Sequence, residues 1–152
     1  MVKKKTIALP HKIGWSILVF LVFWDGLITF LRGKGEGNPI WKPFVDSLGI
    51  HVIWVLAIGV LALFYFVVRI VGWYSEKHEG FPDGRGIVIT SIVIAYGTLD
   101  LYLTLVFPYI GYLGFKNHYI LIPIILAPVF IYNIWLEYLK RKKTIPIKNR
   151  GK

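Results

Sequence analysis

Ile13–Leu31 reads IGWSILVFLVFWDGLITFL, and Ile87–Phe107 reads IVITSIVIAYGTLDLYLTLVF. Each run is apolar over a length that crosses a bilayer core, which takes about 20 helical residues. Each is broken by a carboxylate, Asp25 in the first and Asp100 in the second, followed four residues later by Thr29 or Thr104. A carboxylate at membrane depth is costly, so it usually turns toward a bundle interior or a wet cavity and marks a functional site. The same Asp-x3-Thr element in two spans at matching depth makes these residues the first candidates.

Working outward, Ile50–Val68 and Ile120–Leu136 are two further apolar runs. The 152-residue chain has a mean hydropathy of +0.62, with 56% hydrophobic and 17% charged residues. Soluble domains carry about a quarter of their residues as charges, so an ordinary soluble domain is excluded. The four runs occupy most of the chain, and residues 1–152 read as a single membrane domain. The predicted fold is an all-α integral membrane four-helix bundle, built from two helical hairpins related as a parallel pseudo-repeat. Its helices span 13–31, 50–68, 87–107 and 120–136, and a basic tail covers 140–152. The first run follows MVKKK, but it has spanning length and ends without a small-residue cleavage pattern. It is therefore expected to remain as a helix and not to be removed as a signal peptide.

The net charge of +10 is placed as topology demands, not as a nucleic-acid patch. Lys3, Lys4, Lys5 and Lys12 precede the first run, while Arg69, Lys77 and Arg85 surround the middle connection. Lys140 to Lys143, with Arg141 among them, then Lys148, Arg150 and Lys152 follow the last run. The opposite side holds only Arg32, Lys34, Lys42 and Lys116. The positive-inside rule then expects both termini and the middle loop in the cytoplasm of a multi-pass cell-membrane protein. The expected partners are the lipid bilayer, with anionic headgroups at the basic tail, and other copies of the chain or subunits of a membrane complex. No nucleic-acid partner is expected.

The chain has no cysteine, its one methionine is Met1, and it contains no glutamine. Thiolate chemistry and cysteine metal sites are absent, and depletion of labile residues beside abundant Lys and Arg suits a thermophile. No phosphate-binding glycine loop, metalloprotease motif or nucleophile elbow is present. No cofactor, metal or catalytic residue is therefore assigned.

Helical rise of about 1.5 Å per residue puts Asp25 about 18 Å past Ile13 and Asp100 about 20 Å past Ile87. Both fall beyond the midplane of a core about 30 Å thick. Tyr96, Asp100 and Thr104 follow at i, i+4 spacing, so they share one helix face. Gly26 and Gly97 beside the carboxylates permit close helix approach. If the two carboxylates meet, they cannot both ionise easily, and such a pair can carry protons or coordinate a cation with the threonine hydroxyls. His51, near the end of the second run, is a further candidate because imidazole exchanges protons near neutral pH. In the last span Pro123 falls in the first turn, so Pro128 is the expected interruption.

The stretch Asp25–Pro39, DGLITFLRGKGEGNP, resembles a family of small uncharacterised archaeal and bacterial membrane proteins. These are marked by Asp-x3-Thr near the end of the first helix, followed by Gly and Glu-x-Asn-Pro. The matching residues are Asp25, Thr29, Gly35, Glu36, Asn38 and Pro39. The resemblance implies an integral membrane protein of unassigned function and adds Glu36 and Asn38 as candidate partners of Asp25. The candidate ion- or substrate-binding set is thus Asp25, Thr29, Tyr96, Asp100, Thr104, Glu36, Asn38 and His51. Three functions are expected in order: a structural or accessory membrane subunit, a proton- or cation-linked small permease, and an intramembrane aspartate-dyad enzyme.

Overall fold

The computed structural model describes residues 8–32, 41–81, 83–111 and 121–144. The described chain is helical in the order α1 (His11–Arg32), α2 (Lys42–Leu48), a 3₁₀ turn (Ile50–Val52), α3 (Ile53–His78) and α4 (Gly84–Leu101). A π-helical stretch (Tyr102–Val106), the short α5 (Phe107–Ile110) and α6 (Leu121–Thr144) follow. Four candidate spans result, His11–Leu31, Ile50–His78, Gly84–Ile110 and Leu121–Lys142, as a four-helix membrane bundle requires. Their central windows are only 11% to 28% buried inside the protein. The remaining surface of these windows is apolar and is covered by lipid in a membrane.

The helices run past the apolar windows because helix ends are decided by backbone chemistry and not by hydropathy. Arg69 closes the second apolar run, yet α3 continues for nine residues to His78. It ends beside Gly80, whose φ of 69° turns the chain into a region that favours glycine. α4 then starts at Gly84, capped by Asp83, whose side chain accepts from the Gly86 N–H at 3.1 Å. An acidic cap satisfies one of the orphan donors of a helix start. Likewise α6 runs to Thr144, so the basic tail begins as helix. Pro128 lies inside α6 and Pro123 within its first turn.

The span containing Asp100 is not one uninterrupted α-helix. Pro108 has no N–H to donate, and in a regular ladder its ring clashes with the carbonyl four residues back, that of Thr104. The chain responds with the wider π turn, in which the Phe107 N–H donates to the Tyr102 carbonyl five residues back. The Tyr102 hydroxyl donates to the Gly111 carbonyl and fastens the end of this segment.

α4 is the central helix, packing against α1, α3 and α6, whereas α6 rests chiefly on α4. The two hairpins are therefore packed unequally. The buried core belongs to α1, α3 and α4: Leu18, Val22 and Ala57 are enclosed by Trp15, Val60, Phe64, Ile92 and Tyr96. At one end, called the turn end, α3 and α4 come into backbone contact. A methyl group on Gly72 would lie 2.8 Å from the Arg85 Cα. Gly26 and Gly97 also face neighbouring helices, but a methyl there would meet Trp54 at 3.6 Å and Leu21 at 3.7 Å, which is ordinary contact. Close approach is thus a property of Gly72 and the turn end.

The same end is tied by polar contacts. The Leu9 N–H donates to the Thr90 hydroxyl at 2.9 Å, and Thr90 donates to the Gly86 carbonyl at 2.6 Å. Lys140 of α6 donates to the Glu79 carbonyl at 2.6 Å and lies over the Phe81 ring. Gly72→Val is expected to lower the unfolding midpoint in detergent, by about 1–3 kcal/mol of overpacking. Gly59→Ala, with no atom within 4 Å of the added carbon, should melt like the native chain. Unchanged melting of the Gly72 variant would show that the α3–α4 contact is not a constraint.

Candidate functional site

The opposite end of the bundle holds the carboxylates. Asp25 lies on the α1 face that turns toward α3 and α4, one residue before buried Gly26 and three after buried Val22. Tyr96 reaches it from α4, its hydroxyl donating to Asp25 Oδ2 at 3.2 Å. The Tyr96 ring is held edge-on to Phe64 of α3, with centroids 5.8 Å apart. One side chain therefore touches both other core helices, and its hydroxyl is positioned by packing as well as by the hydrogen bond.

A cavity of about 30 Å³ opens beside this bond. Asp25 and Tyr96 supply its polar wall, and Val22, Ile53, Leu56, Ala57 and Val60 supply most of its apolar wall. Such a volume holds about one water. Gly26 and Trp41 complete the lining; Trp41 is the residue from outside the core helices. It precedes α2, a short helix with Val45 buried and Phe44 and Leu48 exposed, suited to lie along a membrane interface. Pro43, near the start of α2, fits the first turn of a helix, where no N–H is needed. No pattern local to Trp41 in the sequence points to the cavity.

Asp100 lies one turn beyond Tyr96 on α4 and is only 6% exposed. Among the described residues, neither of its carboxylate oxygens has a hydrogen-bond partner. It is near enough to Asp25 for the two charges to interact, but it does not line the cavity. Buried polar groups are nearly always paired, and an unpaired one in a native structure needs a physical explanation. A buried carboxylate anion without donors is more costly still, and its charge must be met by a proton or a cation.

The other candidates are placed differently. Thr29 is half-buried one turn beyond Asp25 on α1. Thr104 is half-buried inside the π stretch, one turn beyond Asp100. His51 is exposed in the 3₁₀ turn, with its ring 5.5 Å from that of Phe30. Glu36 and Asn38 lie outside the described residues, as does the basic tail beyond Thr144. The structure thus brings together Asp25, Tyr96 and Asp100. Among the described residues, no three His, Cys, Asp or Glu side chains are grouped to hold a metal.

Compared with protein families, curated proteins and solved structures, the chain matches none of them. The reading of the site rests on its own geometry.

Asp100→Leu removes an unpaired buried carboxyl and is expected to raise the unfolding midpoint in detergent by the equivalent of about 1–3 kcal/mol. Asp25→Leu takes the acceptor from Tyr96 and should lower it by about 1 kcal/mol or more. Equal destabilisation by both would mean that Asp100 is held by partners as Asp25 is.

Proposed function

We propose that this multi-pass membrane protein is a small proton-linked permease, with Asp25, Tyr96 and Asp100 as its proton-handling group. The observation that carries the reading is Asp100, a membrane-depth carboxyl buried without a hydrogen-bond donor. A purely structural carboxyl would be expected to gain a donor, since pairing is what makes burial tolerable. The Asp25–Tyr96 bond and the adjoining cavity support it further. A carboxylate at a water-sized space can gain a proton from that water, and the tyrosine hydroxyl can donate to the charged form or turn away from the neutral one. Asp25 and Asp100 are also near enough for their charges to interact, so the two belong to one group.

In this reading the protein sits in the cell membrane with both termini cytoplasmic, as its basic residues favour. The Asp25 end then faces outward. A structural or accessory subunit is the second reading. It is favoured by the Asp25–Tyr96 bond itself, which links α1 to α4 as interhelical polar contacts do in membranes.

The test is proton flux into liposomes carrying the purified chain and an internal pH-sensitive dye, driven by a potassium diffusion potential. The native protein should acidify the lumen, and Asp25→Asn and Asp100→Asn should each abolish the flux while keeping helical content. Normal flux in both variants, or none from the native protein, would sink the permease reading. A sodium-dependent signal in its place would assign a cation to the same site.

Orientation has its own check, because the cysteine-free chain allows clean single labels. Ser47→Cys should react with an impermeant thiol reagent in intact cells, and Lys142→Cys only after permeabilisation. The reverse pattern would invert the topology.

A further inference from the structure

At the turn end, α3 carries Tyr65, Arg69, Trp73 and Lys77 at intervals of four, a spacing that forms one ridge winding along a helix. Contacts join the ridge at both ends. Arg69 Nη1 donates to the Tyr65 hydroxyl at 3.2 Å, and Lys77 Nζ lies 4.8 Å from the centre of the Trp73 ring. All four side chains are exposed.

The depth of the ridge follows from its neighbour. Tyr65 packs on Trp15 of α1, ring centres 6.2 Å apart, and Trp15 is one turn from the start of α1 at His11. Arg69 lies one further turn along α3, about 6 Å, and so stands level with the first turn of α1, at the edge of the apolar layer. Side chains of a helix lean toward its N-terminus. Lys77 accordingly folds back over Trp73, on the side of Arg69. Two cations thus follow one another along the ridge through the headgroup layer, Arg69 on Tyr65 and Lys77 on Trp73.

Neither cation is neutralised by an ion pair among the described residues. Among the described residues, the carboxylates of this end are engaged elsewhere: Glu76 with Arg85, Glu79 with Ser75, and Asp83 with the Gly86 N–H. Glu137 pairs with Arg141 and Lys140. Arg69 has five N–H donors, of which the Tyr65 hydroxyl takes one. A guanidinium matches the two unbridged oxygens of a phosphate in fork geometry. Exposed Phe66 and Ile70 beside it offer an apolar track directed into the membrane.

We propose that the Arg69–Trp73–Lys77 ridge of α3 is a binding site for the headgroup phosphate of an anionic phospholipid. Arg69 grips the phosphate oxygens, Lys77 supplies the second positive charge, Trp73 anchors the ridge in the headgroup layer, and an acyl chain runs over Phe66 and Ile70. This places a lipid site on the folded bundle, apart from the basic residues of the C-terminal tail.

Native mass spectrometry of the full chain in detergent tests it, with phosphatidylglycerol and phosphatidylcholine offered in equal amounts. The native protein should retain phosphatidylglycerol preferentially. Arg69→Gln/Lys77→Gln should weaken that retention by about tenfold or more, given roughly 1 kcal/mol per basic residue near a charged bilayer surface. Arg141→Gln/Lys142→Gln removes the same charge away from the ridge and should retain the lipid. Equal loss in both double variants would overturn the site in favour of diffuse charge attraction, as would unchanged retention in the ridge variant or equal retention of the two lipids by the native chain. Both pairs of substitutions are on exposed positions, and native-like helical content in each confirms that binding, not folding, is being read.

Discussion

Backbone contact between α3 and α4 at Gly72 is the constraint from which the arrangement of the bundle follows. With no side chain at that position, the two helices close on each other at Arg85, and the connection between them needs only a short turn through Gly80 and the Asp83 cap. α4 is thereby drawn against α3, where α1 can pack on both. The small core of Leu18, Val22 and Ala57 with its aromatic neighbours fills the space among these three helices. α6 is left on the outer side of α4, fastened at the turn end by Lys140.

That central position determines the environment of the acidic site. Only a helix enclosed by others can bury a carboxylate away from lipid, and Asp100 lies on that helix. Tyr96, one turn earlier, meets Asp25 because α1 runs along the same helix. The two carboxylates differ in chemistry although their sequence elements match. Asp25 has a donor and a water-sized cavity, while Asp100 has neither. Unequal packing of the hairpins accounts for the difference, since α1 and α4 occupy non-equivalent places in the bundle.

The sequence made some of this legible and concealed the rest for identifiable reasons. Four spans could be read because charge is nearly excluded from them, and Asp25, Tyr96 and Asp100 could be read because depth along a helix is a simple product of rise and position. Rotation and lateral neighbours are not encoded so simply. With most of each span facing lipid, apolar side chains do not distinguish the bundle interior from its exterior, so the central role of α4 had no periodic signature. Gly26 and Gly97 attracted notice for standing beside carboxylates, whereas the close contact is at Gly72, a residue in a stretch that hydropathy had placed outside the span. The π stretch had a sequence cause in Pro108, but which turn of the helix widens depends on how the chain accommodates the missing donor. Trp41 lines the cavity, which no pattern local to it in the sequence encodes.

The two ends of the molecule also differ in the kind of order they have. At the turn end, backbone contact, a capped helix start, the Leu9–Thr90 link and the Lys140 staple act together on the same few turns. At the acidic end the regular α ladder gives way on both sides of the site, to a 3₁₀ turn before α3 and to π geometry after Asp100. Departures of this kind within membrane helices are tolerated where other groups satisfy the backbone, as the Tyr102 hydroxyl does for Gly111. A proton-handling group must exchange hydrogen-bond partners as its charge changes, and exchange is easiest where the backbone is not locked into one ladder. The division of the bundle into a knitted end and an irregular end therefore puts the adaptable geometry beside the residues whose charge state would change.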